Sequence, residues 1–245
     1  MNIKTLRRIA LSLSVGAMIL IAGFGCRQGK TRVLVFTKTA GFKHSSIPAG
    51  SQALQELGKE YGFQVDVTND ASKFNADTLR LYKAIVFLNT TGDVLNDDQQ
   101  ADFEEYIQAG GGFAGVHAAA DTEYDWPWYG KMVGGYFMSH PHIQEATVKV
   151  MDKDHISTRH LPEKWNRKDE WYNYKSLNPH VHVLATLDEH TYEGGKNGDF
   201  HPIAWYHEYD GGRAFYTGGG HTDECYSEPD FIKHLALGIL WAAGE

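Results

Sequence analysis

The sequence predicts an α/β fold, a parallel sheet covered by helices on both faces. Three observations carry that prediction. Short apolar runs alternate with amphipathic stretches from residue 32 to residue 117. Runs such as Val33-Leu-Val-Phe36 and Ala84-Ile-Val-Phe-Leu88 are apolar throughout, as strands are when both of their faces are covered. Histidine is abundant, 13 in 245 residues, and three of these follow predicted strands. In sheets of this kind ligands sit at the carboxyl ends of the strands.

The elements follow in order. Arg32 to Thr37 is a buried strand. Ser51 to Tyr61 has helical spacing at Leu54, Leu57 and Tyr61. Phe63 to Thr68 alternates as a strand does, and Asp77 to Tyr82 is a short helix. Ala84 to Leu88 is a second buried strand. Asn96 to Gln108 is an acidic amphipathic helix with Phe103, Tyr106 and Ile107 on its apolar side. Gly112 to His117 is a further strand. From Asp121 to Pro202 the pattern is irregular and rich in Trp, Tyr and His, with Ala146–Val150 and Val181–Leu187 as strands. Ile203–Glu208 and Gly212–Thr217 form an antiparallel pair around Tyr209-Asp-Gly-Gly, a hairpin signal. Asp230 to Ala243 closes the chain as a helix behind Pro229. No linker or repeat interrupts residues 31–245, so they read as one domain.

The ends and the charge narrow the function. Lys4, Arg7 and Arg8 precede an uncharged apolar stretch, Ile9 to Phe24, too short to span a bilayer. Residues 1–25 therefore read as a signal peptide. Cys26, after Gly25, resembles a bacterial lipoprotein processing site, which implies acylation of Cys26 and an exported protein held at a membrane by that anchor alone. Lys and Arg number 23 against 31 Asp and Glu, an acidic balance that argues against nucleic acid as partner. With Cys26 lipidated, Cys225 is alone, so no internal disulfide forms, and an isolated cysteine reads as buried and inert.

Three strand ends deliver a histidine each. The first leads to Gly41-Phe-Lys-His44, the second to Gly115-Val-His117-Ala-Ala-Ala-Asp121, and the last to Thr217-Gly-Gly-Gly-His221. Three imidazoles above one sheet edge suit a divalent metal or acid/base work. His44, His117 and His221 are thus the candidate metal ligands, with zinc the expected ion and no nucleotide cofactor. Glu170, in Asp169-Glu-Trp-Tyr172, offers a carboxylate whose aromatic neighbours are expected to raise its pKa. Asp121 is placed to orient His117. His140, Trp126, Trp171 and Tyr172 are candidates for contacting substrate, the aromatic faces by stacking on sugar rings. His142 and the other histidines have no comparable setting.

The series GFKHSS, GGGFAGVHAAADT, HP, DEWY, PIAW and GRAFYTGGGHT resembles the ThuA-like (trehalose utilisation) family over residues 32–244. That resemblance implies a class I glutamine amidotransferase-like, flavodoxin-like doubly wound sheet with an aromatic-rich insertion. In amidotransferases the strand-to-helix elbow carries a nucleophilic cysteine with a histidine partner. Here His117 stands on the elbow and His221 at the partner position, so thioester chemistry on glutamine is not expected. The implied function is an exported protein of carbohydrate catabolism, an enzyme acting on trehalose-like disaccharides or their keto derivatives by metal- or histidine-assisted proton transfer. His117, His221, Glu170 and Asp121 would be its catalytic groups. Its partners would be a small carbohydrate and an oxidoreductase of the same pathway. The alternative is a non-catalytic carbohydrate-binding or accessory subunit, in which the histidines only hydrogen-bond a glycan.

Overall fold

The computed structural model describes residues 30–245. The predicted signal peptide and Cys26 lie outside the described residues. In chain order the strands are β1 (Arg32–Phe36), β2 (Gln64–Thr68), β3 (Ala84–Leu88), β4 (Gly112–Val116), β5 (Tyr136–Ser139), β6 (Gln144–Val150), β7 (Lys164–Asp169), β8 (Asn173–Lys175), β9 (His182–Leu187), β10 (His201–Tyr209) and β11 (Gly212–Thr217). The helices are α1 (Ile47–Tyr61), α2 (Ala76–Leu79), α3 (Asp97–Gln108), α4 (Pro127–Val133) and α5 (Pro229–Ala243).

Nine strands form one sheet in the order β2-β1-β3-β4-β11-β10-β9-β6-β7. From β2 to β11 every neighbouring pair is parallel. This run of five has the flavodoxin-like order, so the predicted doubly wound architecture holds. From β11 outward the pairs are antiparallel. The segment read as irregular supplies α4, β7 and a separate two-stranded ribbon of β5 and β8.

Local chemistry explains where the helices start and stop. α1 begins at Ile47, four residues before the predicted start, because Pro48 fits a first helical turn. It ends at Gly62, whose φ of 85° suits glycine. α3 begins at a capping box in which the Asn96 side chain accepts from the Gln99 amide and the Gln99 side chain answers to Asn96. α1 packs beside α5 and α2 beside α3, which gives the two helical layers. β1, β3 and β4 are buried between them. An aromatic stack of Phe36, Phe74, Phe87 and Phe103 fills one layer interface, with Phe87 and Phe103 stacked at 5.6 Å. Gly112 lets the carbonyl of Ala242 come against β4, where any side chain would collide with it.

Away from the carboxyl edge, two buried histidines set an acid limit. Burial pushes His155 down to about 4 and His234 down to about 3. Both stay neutral in the fold below pH 6.5, where the unfolded chain takes up protons. Their contribution to stability is therefore full above about pH 6.5 and is lost as pH falls toward 4. Guanidinium unfolding at stepped pH is expected to show this decline, and a smaller decline in His234→Phe. A flat profile across that range would contradict it.

Candidate functional site

β1, β4 and β11 end on the same edge of the sheet, and the loops that follow them bring His44, His117 and His221 together. β7, at the far edge of the antiparallel half, delivers Glu170. One ligand-capable atom from each of His44, His117, Glu170 and His221 lies within 4.8 Å of the other three. The first three residues are buried and His221 is half-buried. Sequence placed the three histidines near this edge and offered Glu170 only as a carboxylate from the irregular segment. The structure adds that they touch.

His117 occupies the elbow where β4 turns into a short 3₁₀ turn, with φ of 46°. That left-handed backbone is costly for a residue with a Cβ and persists only where surroundings hold it. The Tyr216 hydroxyl does so, donating to the His117 carbonyl at 2.7 Å, and the Tyr174 hydroxyl lies 3.1 Å from that of Tyr216. On the imidazole, Nδ1 is 2.8 Å from the Gly218 carbonyl. A carbonyl only accepts, so Nδ1 carries a proton, and Nε2 is the nitrogen that faces the cluster. Nε2 lies 3.1 Å from His221 Nδ1 and 3.5 Å from Glu170 Oε2. His221 Nδ1 is 3.1 Å from the same Oε2.

The electrostatics follow from this crowding. Burial opposes the charge on Glu170, but hydrogen bonds from His117 and His221 outweigh it and hold the carboxyl well below the usual range. This corrects the expectation of a raised pKa: the imidazoles, close only in the fold, overrule the aromatic surroundings. Burial, together with the charges of His117 and His221, pushes His44 down to about 3. Burial also lowers His221, but the bond to Glu170 prevails and its pKa rises. Among the described residues, no hydrogen-bond partner reaches the buried Nδ1 atom of His44.

The cluster floors a cavity of about 340 Å³ lined by Phe42, Asp121, Phe137, His140, Tyr172 and three of the cluster residues. His140 stands at its mouth, its side chain 43% exposed, with Nδ1 3.0 Å from Glu170 Oε1. Tyr172 is a wall, its ring 4.1 Å from that of His117. Phe42 and Phe137 were not foreseen.

Three expected roles differ. Asp121 does not orient His117, because the Gly218 carbonyl already does. The Asp121 carboxylate instead lines the cavity and accepts from the Tyr124 hydroxyl at 2.6 Å. Trp126 lies in the core, with Nε1 donating to Glu104 at 2.8 Å. Trp171 is fully buried, with Nε1 donating to the Gln144 carbonyl at 2.9 Å. Neither indole reaches the cavity. A larger cavity of about 650 Å³ beside α4 is lined by Tyr136, Leu177, Pro179 and Tyr209 and gathers no comparable cluster. Cys225 is buried, burial pushes its thiol up to about 11, and its sulfur lies against Asp169 rather than on the elbow.

The family described as ThuA, trehalose utilisation, matches residues 32–242. The chain belongs to the ThuA family. Membership implies a role in trehalose utilisation. Among solved structures, a ThuA-like protein from Bacteroides uniformis is 27% identical, with a TM-score of 0.73 over 86% of this chain and 91% of that one. A ThuA-like protein from Parabacteroides merdae is 22% identical, with a TM-score of 0.71 over 87% and 90%. A cytoplasmic protein from Salmonella typhimurium shares the fold at 11% identity, with a TM-score of 0.61 over 86% and 98%. No curated protein matches this ThuA-family chain.

Proposed function

We propose that this ThuA-family chain is an exported, lipid-anchored enzyme of carbohydrate catabolism whose four-residue cluster holds a divalent metal, zinc being the best fit. The substrates would be trehalose-like disaccharides or their keto derivatives. The observation that carries the reading is the convergence of three imidazoles and one carboxylate at the floor of a cavity. Three neutral nitrogens and a carboxylate oxygen form a donor set suited to zinc. The donor atoms of His117, His221 and Glu170 lie 3.1 to 3.5 Å from one another, close enough to share one ion. The unpartnered His44 Nδ1 fits a cluster whose hydrogen bonding the protein alone does not complete.

The protein's own groups have separable tasks. The Gly218 carbonyl fixes the His117 tautomer, as hydrogen-bonded backbone does for metal-binding imidazoles. Glu170 is held ionised, which suits it to ligate a cation. His140 Nδ1 lies 3.0 Å from Glu170 Oε1 and 2.8 Å from the Pro141 carbonyl, so it carries a proton and donates at the cavity mouth. The Phe42, Phe137 and Tyr172 faces exclude water and offer stacking surface to a sugar ring. A metal bound at the floor would polarise a substrate carbonyl or activate water.

The test is elemental analysis of protein purified without a histidine tag, alongside NMR of a keto-disaccharide incubated with it. We expect about one metal per chain and metal-dependent conversion of the sugar. Sugar binding without metal and without turnover would replace this reading with that of a binding subunit.

A further inference from the structure

We infer that Asp169 is a positioning residue that sets Glu170 and His221 against each other. β7 and β11, which precede these two residues, are separated in the sheet by β10, β9 and β6. No ladder hydrogen bond therefore registers one strand end against the other. The Asp169 carboxylate makes that connection. Its Oδ1 accepts from the Glu170 amide at 2.9 Å and from the His221 amide at 3.2 Å. Its Oδ2 accepts from the Gly220 amide at 2.8 Å. One fully buried side chain thus ties the backbone of two cluster residues together across the gap.

The surroundings are built for a charge at this point. Arg167, on the same side of β7, places Nη1 3.1 Å from Asp169 Oδ2 and reaches Glu228 through Nε at 2.9 Å. Its guanidinium also lies over the Phe231 ring at 4.5 Å. The buried carboxylate is therefore paired, as a charge in the interior must be. Gly219 leaves room for Arg167, and Gly220 takes a φ of 110° that aims its amide at Asp169. The glycines before His221 are needed because the loop must pass this close to an ion pair.

The inference concerns geometry, so one part of its test does not depend on the metal reading on which the other part rests. In metal-free wild-type protein, the Gly220 and His221 amides are expected to exchange with solvent far more slowly than open-loop amides. Asp169→Asn keeps one acceptor oxygen and turns the other into a donor, so it is expected to remove that protection at Gly220, or at His221 and Glu170 where the side-chain amide turns over, while core amides keep theirs. Zinc affinity, by competition with a chromophoric chelator, is expected to fall about 10–100-fold in Asp169→Asn, the range for residues that orient metal ligands. Cys225→Ala, which loses the thiol contacts to the same carboxylate and to the Thr222 hydroxyl, is expected to keep wild-type affinity. Fast exchange of Gly220 and His221 in the wild type overturns the inference and needs no variant. Wild-type protection and affinity in Asp169→Asn would overturn it too, as would equal zinc loss in Cys225→Ala. If the wild type takes up no zinc, the metal reading fails, and amide exchange still decides the role of Asp169.

Discussion

Replacing His117 with alanine is expected to abolish metal uptake and to lower keto-disaccharide turnover by about 100- to 10,000-fold, the range for a lost acid/base group. His117 touches each of the other three cluster residues. Its Nε2 faces both His221 and Glu170, and its ring packs on His44 and Tyr172. Its loss leaves Glu170 with one fewer donor, so the Glu170 pKa moves back up toward the ordinary range. The fold should survive, because the hydroxyl of Tyr216 binds the backbone carbonyl of residue 117, which alanine retains. Alanine in the left-handed backbone would cost about 1–3 kcal/mol of strain, as histidine already does. Metal content by elemental analysis, together with circular dichroism, separates loss of site from loss of fold. Normal metal content and turnover in a folded variant would end the proposed role.

Trp205→Ala is expected to destabilise the protein by about 3–5 kcal/mol, the largest effect on stability of any change considered. Trp205 is fully buried in β10 and stacks on Tyr216 at 4.4 Å. Its Nε1 donates to the Val133 carbonyl at the end of α4, at 2.8 Å. Gly134 is accommodated against this indole, so the chain has shaped two elements around it. Truncation removes the stacking, opens a cavity and leaves the Val133 carbonyl unpaired. Tyr216 in turn holds the His117 elbow, so the site should loosen as the core does. Guanidinium unfolding measures the loss. A change below about 1 kcal/mol would show that neighbouring side chains fill the space.

The parallel half of the fold was legible because β1, β3 and β4 are apolar at nearly every position, and only burial on both faces requires that. α3 was legible from its cap and its apolar side. β7 was not. Its sequence, Lys-Trp-Asn-Arg-Lys-Asp, buries Arg167 and Asp169 as a pair, so charge stands where an apolar pattern would have announced a strand. β5 and β8 are too short to show a period. In the site, the histidines were visible because they follow recognisable strands. The partner of His117 was not, since a backbone carbonyl has no residue type, and Asp121 was the nearest side chain on offer. Trp126 and Trp171 share a region with Tyr172, but residue type does not say which ring faces a cavity. Asp169 sits beside Glu170 in the sequence, yet its bonds run to a loop about fifty residues onward.

The direction of β1 has a consequence for where the cluster stands. β1 enters the sheet at Arg32 on the amino edge, whereas His44, His117 and His221 stand on the carboxyl edge. Under the proposed anchor, six residue steps separate Cys26 from Arg32, a reach of about 20 Å at full extension. Each strand adds about 17 Å before the chain arrives at the cluster. The cluster would then stand at the end of the sheet opposite the tether, with the length of the strands between them.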